Sequence, residues 1–100
     1  MATNFIKPEF VWMNGKIIPF DEAVVHVMTP TARYGTNVFE GIRAYWGEEK
    51  KELYAFRLND HYQRLFESMK IMRLHSEYTT EDCQQIFVQL VRENKFKEDL

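Results

Sequence analysis

The chain is poor in cysteine: Cys83 is the only one in 100 residues. A single thiol forms no internal disulfide, and the missing disulfide framework fits a reducing, cytoplasmic compartment. No apolar run approaches the roughly 20 residues a helix needs to cross a bilayer. The opening Met1-Ala2-Thr3-Asn4 lacks a basic start followed by an apolar core, so a secretory leader is not expected. Positive charge is not in excess either. With 13 Lys and Arg against 15 Asp and Glu, the formal net charge is -2, and nucleic-acid binding has no electrostatic support. Repeats and low-complexity stretches are absent. One hundred residues suffice for one domain with a modest core and not for two, and 45% hydrophobic residues fit an ordinary globular protein. Aromatics reach 15%, a load that needs burial inside the chain or against a partner.

Taken in order, residues 1–9 read as a loose lead-in. Phe10-Val11-Trp12-Met13 and Lys16-Ile17-Ile18-Pro19 flank Asn14-Gly15, the strongest short hairpin signal, with a type I′ turn expected. Val24-Val25-His26-Val27 suggests a third short strand, ended by Thr29-Pro30, where proline suits the first position of a single helical turn. His26 has no clustered ligands and no carboxylate partner, so a structural role is expected of it. A fourth strand is expected from Val38 to Tyr45. Leu53-Tyr54-Ala55-Phe56 returns as the fifth, after the charged loop Trp46–Lys51. The cluster Leu58-Asn59-Asp60 should cap a helix running to about Met72, whose stripe is Tyr62, Leu65, Phe66, Met69 and Met72. A second helix should open at Thr79-Thr80, with Glu81 and Asp82 suited to its N-terminal dipole. Its stripe is Cys83, Ile86, Phe87, Leu90 and Val91, which makes Cys83 a core filler, and Asn94-Lys95 should end it. The expected fold class is α+β: a mainly antiparallel sheet with two helices packed on one face.

Arg33–Tyr45, R-Y-G-T-N-V-F-E-G-I-R-A-Y, is the stretch with chemical promise. Tyr34-Gly35 marks a bend. Period two then puts Phe39, Gly41, Arg43 and Tyr45 on one face and Val38, Glu40, Ile42 and Ala44 on the other. Aromatic, gap, cation, aromatic is a poor recipe for a packed core. It suits a strand lining a pocket, where glycine admits a ligand close to the backbone. An edge-strand glycine beside a solvated arginine is the alternative. Arg64, on the polar flank of the first long helix, reads as a surface arginine or as half of an ion pair with Glu67 or Asp60; its planar fork also suits a phosphate.

The motif Y-G-x-x-V-F-E-G-I-R-A-Y resembles the first-strand signature of the branched-chain amino-acid aminotransferases, pyridoxal-phosphate enzymes of fold type IV. The resemblance extends upstream through W-M-N-G-K-I-I-P-F-D-E-A-V-V-H-V-M and downstream through F-R-L-N-D-H-Y-Q-R-L-F-E-S-M-K-I-M, covering roughly residues 10–73. It implies amino transfer between leucine, isoleucine or valine and 2-oxoglutarate, with pyridoxal 5'-phosphate as cofactor, in a homo-oligomer that is at least a dimer. It also implies that residues 1–100 are the beginning of a small domain, continued by further strands and a larger domain. By the same resemblance, Arg64 of His61-Tyr62-Gln63-Arg64-Leu65 contacts the cofactor phosphate. Phe39 walls an apolar side-chain pocket, and Gly41 lets the backbone pass close to substrate. Arg43 holds the polar end of a dicarboxylate donor, and Tyr34 reaches the pocket of the neighbouring subunit. The lysine that forms the Schiff base is implied to lie beyond residue 100. None of Lys7, Lys16, Lys50, Lys51, Lys70, Lys95 or Lys97 has a matching context, so no catalytic residue or metal ligand is assigned and the chain alone is expected to be inactive. Two alternatives stay open: another fold type IV enzyme, such as a D-amino-acid aminotransferase or an aminodeoxychorismate lyase, or a free-standing, non-catalytic module.

Overall fold

The Asn14-Gly15 pair sets the first element. In the computed structural model, which describes residues 7–100, both residues have positive φ, 52° and 86°, as a type I′ turn demands. They join β1 (Phe10–Met13) to β2 (Lys16–Pro19), paired antiparallel with Trp12 opposite Ile17. The reading of Met1–Asn4, and most of the lead-in, falls outside the described residues. A 3₁₀ turn at Phe20–Glu22 follows.

The third strand expected at Val24–Val27 does not form. Val24 and Val27 are 72% and 73% exposed, and the backbone bends instead. Met28 N–H donates to His26 Nδ1 at 3.0 Å, and Thr29 N–H donates to the His26 carbonyl at 3.0 Å. β-branched residues favour strands only where a sheet accepts them, and none is paired here. The bend leads into α1 (Pro30–Tyr34), with Pro30 in its first turn and the Thr29 hydroxyl accepting from Ala32 N–H. Gly35, at φ 66°, closes it in the left-handed region that glycine enters without cost.

The expected strand from Val38 shrinks to β3 (Ala44–Gly47), paired antiparallel with β4 (Glu52–Ala55). One further bond, Phe56 N–H to the Arg43 carbonyl at 2.8 Å, extends the ladder. β4 is four residues long, so among the described residues Val38–Ile42 has no strand beside it. The expected α+β class with antiparallel pairing is present, and among the described residues the strands form two two-stranded ribbons in place of one sheet. Along β3, Gly47 fits beneath the Tyr54 ring, where an added Cβ would come within 2.8 Å of Cε2. On the other edge of β3 the Leu100 backbone exchanges two hydrogen bonds with Ala44.

α2 (Leu58–Ile71) begins without the expected side-chain cap. Arg57 takes the left-handed cap position, and Asp60 binds Arg57 Nε at 2.7 Å instead of the helix end. α3 (Thr80–Asn94) opens as expected and more fully, because Thr79 and Asp82 form a reciprocal capping box. The two stripes face each other, and Gln84 Nε2 donates to Asn59 Oδ1 at 3.1 Å across the pair. Cys83 sits half-buried on the α3 stripe, and burial pushes its thiol up, away from nucleophile character.

Asn94 stitches the layers together. Its Oδ1 accepts from Glu9 N–H and Phe10 N–H, both at 2.8 Å, while its Nδ2 donates to the Phe10 and Leu90 carbonyls at 2.9 and 3.0 Å. All four bonds are made by one amide, each worth roughly 1 kcal/mol net. On its other side, α3 faces β3 and β4 across a cleft of about 470 Å³ lined by Ala44, Leu53, Ala55, Phe87, Val91 and Phe96.

Little of this is a closed core. Among the described residues Ala44 is the one hydrophobic side chain fully withdrawn from water. The accessible surface is 8315 Å² for 12.1 kDa, whereas a compact monomer of that mass exposes roughly 6,000 Å². Val24, Val27, Met28, Tyr34, Phe39 and Ile71 are all exposed. We therefore expect the isolated 100-residue polypeptide to bind a dye such as ANS and to melt over a broad range. A sharp calorimetric transition without dye binding would contradict this.

Candidate functional site

Although Val38–Ile42 is unpaired, its side chains alternate as an extended chain requires. Val38, Glu40, Ile42 and Ala44 turn inward, and Phe39, Gly41, Arg43 and Tyr45 turn to solvent. The outward face read from spacing is thus a real surface. Phe39 is 84% exposed. Beside it, the Arg43 guanidinium lies 5.6 Å from the centre of the Tyr45 ring, and Tyr45 meets Phe56 edge to face at 6.5 Å. Tyr54, directly opposite Tyr45 in the ladder, adds to the same face. Gly41 has no atom within 4 Å of the position a Cβ would occupy, and its φ is not in the left-handed region. Nothing in the described chain demands glycine there.

Tyr34 lies apart from this group, at the exposed end of α1. Its ring contact is with Arg33, 4.9 Å from the ring centre, and among the described residues it makes none with Phe39, Arg43 or Tyr45.

Arg64 is held from the inward side of the same stretch. The local partners considered for it, Glu67 and Asp60, are not the ones it uses. Its Nε donates to Glu40 Oε2 at 2.8 Å and its Nη2 to Glu40 Oε1 at 2.6 Å, a two-pronged fork. His61, one turn earlier on α2, places Nδ1 2.8 Å from Glu40 Oε1. With Glu40 ionised, that nitrogen carries the hydrogen. The Glu40 side chain is only 8% exposed, whereas that of Arg64 is 66% exposed. The Arg64 and His61 hydrogen bonds hold the Glu40 carboxyl down at about 2, against an ordinary 4.5. A small hollow of about 340 Å³, lined by Phe56, Arg57, Asp60, His61 and Arg64, opens beside this group.

Glu40 and His61 escaped the sequence reading, yet a signal was available. A carboxylate on the inward stripe Val38, Glu40, Ile42, Ala44 requires a cation. His61 and Arg64, three apart on one helix, are suited to share it.

No family model matches the chain. Curated proteins do. It is 37% identical over 92 residues to a probable branched-chain-amino-acid aminotransferase of Aquifex aeolicus (strain VF5), covering 92% of this chain and 30% of that protein. The likeness is to branched-chain aminotransferases. The Escherichia coli (strain K12) enzyme is 36% identical over 88 residues, 88% of this chain and 28% of the enzyme. Among solved structures, the branched-chain aminotransferase of Thermoproteus uzoniensis with norvaline superposes with a TM-score of 0.86 at 48% identity. That match covers 92% of this chain and 30% of that one. These neighbours are fold type IV aminotransferases, and the match lies in their N-terminal part. The chain spans about 30% of the length of the curated relatives it matches.

The Glu40 group makes a prediction of its own. A carboxyl with a lowered pKa contributes stability that is fully present above its ordinary value and fades as pH falls from about 4.5 through about 2. In a carbon-13 titration of the side-chain carboxyls, Glu40 should titrate near the bottom of the series, and Arg64→Ala should move it up towards 4.5. An ordinary midpoint in the unaltered chain would refute the fork.

Proposed function

We propose that this chain is the N-terminal portion, a small domain begun within residues 1–100, of a branched-chain amino-acid aminotransferase. The reaction would pass the amino group of leucine, isoleucine or valine to 2-oxoglutarate, with pyridoxal 5'-phosphate as cofactor. The observation that carries this reading is the outward face of Phe39, Gly41, Arg43 and Tyr45, an aromatic wall with one cation and a gap that nothing in the described chain fills. Such a face suits two substrate types alternately. The rings receive an aliphatic side chain, while Arg43 offsets the cost of removing the second carboxylate of glutamate from water. Gly41 leaves room for the substrate against the backbone.

The residues present also fit the cofactor's phosphate. Of the five N–H groups of Arg64, Glu40 takes two, and the remaining three are free to donate to phosphate oxygens. Solved neighbours support the choice of cofactor. A Thermobaculum terrenum branched-chain aminotransferase is in its PLP-form, and another, 36% identical to this chain, is complexed with N-(5'-phosphopyridoxyl)-L-glutamate. When bound, the cofactor supplies the electron sink for amino transfer. This chain's residues anchor and orient: Arg64 the phosphate, Phe39 and Tyr45 the apolar chain, Arg43 the distal carboxylate. The proton-transferring lysine is assigned to the part of the protein outside this chain. The exposed apolar side chains support that division, since they suit a surface that the rest of a longer protein covers. Among the described residues no helix is long and apolar enough to cross a membrane. A cytoplasmic homo-oligomer, at least a dimer with Tyr34 reaching the neighbouring subunit's pocket, completes the proposal.

The test is an assay of the full-length protein. It should form glutamate from leucine and 2-oxoglutarate in a cofactor-dependent reaction; preference for D-alanine, or lyase activity on aminodeoxychorismate, would reject the branched-chain assignment. Arg43→Ala should cut kcat/KM for glutamate by roughly ten- to a hundred-fold, the scale of a lost charge-assisted bond, and change that for leucine by much less. Equal losses would remove Arg43 from carboxylate recognition.

A further inference from the structure

The fork between Arg64 and Glu40 is asymmetric in a way that bears on what Arg64 can reach. Guanidinium has two edges able to grip an oxyanion in parallel: one made of Nε and Nη2, the other of Nη1 and Nη2. Glu40 takes the first edge, through Nε at 2.8 Å and Nη2 at 2.6 Å. The second edge is left whole. Because Glu40 is almost buried and is itself braced by His61 Nδ1 at 2.8 Å, the plane of the guanidinium is fixed by a rigid anchor. Most of the remaining Arg64 side chain is in water, where alone it would sample many rotamers.

We propose that Glu40 is a positioning residue: it holds Arg64 by the Nε edge so that the Nη1–Nη2 edge is presented to a phosphate group, with His61 fixing the carboxylate. The inference rests on the reading of Arg64 as the phosphate contact. Two effects of Glu40 oppose each other. Its negative charge repels a phosphate, but that charge is already paired with the Arg64 guanidinium, which offsets it. Its grip removes the need to immobilise a long side chain on binding, which is worth up to about ten-fold in affinity. Orientation prevails in this setting, so removing Glu40 weakens phosphate binding.

The experiment uses the full-length protein stripped of cofactor, titrated with pyridoxal 5'-phosphate and separately with pyridoxal. Absorbance gives the affinity for each. The ratio of the two affinities isolates the phosphate contribution, and a general loosening of the fold moves both and leaves the ratio unchanged. Glu40→Ala should lower the ratio by up to about ten-fold, and Glu40→Gln, which keeps an acceptor oxygen, by less. Because Arg64 is the shared intermediary, Glu40→Ala added to Arg64→Ala should lower it no further. A ratio unchanged or raised in both Glu40 variants while Arg64→Ala lowers it overturns the role of Glu40 alone. A ratio unchanged in Arg64→Ala overturns the phosphate contact itself, and this inference with it. If Glu40→Ala does not fold, as judged by circular dichroism, Glu40→Gln decides by the same ratio.

Discussion

One nearly buried carboxylate organises the functional part of this chain. Glu40 points inward from a stretch that has no strand beside it, and a charge withdrawn from water has to be met by cations. α2 meets it with His61 and Arg64, placed one turn apart. Since side chains alternate along an extended backbone, fixing Glu40 inward fixes Phe39, Gly41 and Arg43 outward. A slip of one residue would reverse the arrangement, presenting an acid to solvent and a ring to the helix. The same contact thus docks the stretch and aims its chemistry.

The surrounding elements make that aim steady. β3 and β4 carry Tyr45, Tyr54 and Phe56 onto the outward face, while Ala44 closes the inward one. α2 is held against α3, and α3 is held to β1 through Asn94. What the described residues do not supply is cover: the outward face, the valines before α1 and the cleft under β3 remain open to water.

Features set by near neighbours were legible in the sequence. Asn14-Gly15, the helix start at Thr79, the proline opening α1 and the helical stripes depend on residues a few positions apart, and the structure has them where the pattern put them, except that Met72 lies past the end of α2 and is exposed. Features that need a distant partner were not. Val24–Val27 has strand-forming residues and no strand to join. Val38–Ile42 keeps the alternation but loses the ladder, because β4 ends at Ala55. Arg57 sits in a left-handed cap that no residue type announces. In the site, the composition of the outward face could be read from period two alone. The partner of Arg64 could not, because a helix suggests neighbours three or four away, and Glu40 lies 24 positions back on another element.

Asn94 ties the end of one helix to the start of the first strand across 84 residues of sequence. Three bonds through one side chain mean that neither end frays independently: loosening the last turn of α3 frees the amides of Glu9 and Phe10 at once. The β1–β2 ribbon and the C-terminal half of α3 should therefore open as a single cooperative unit.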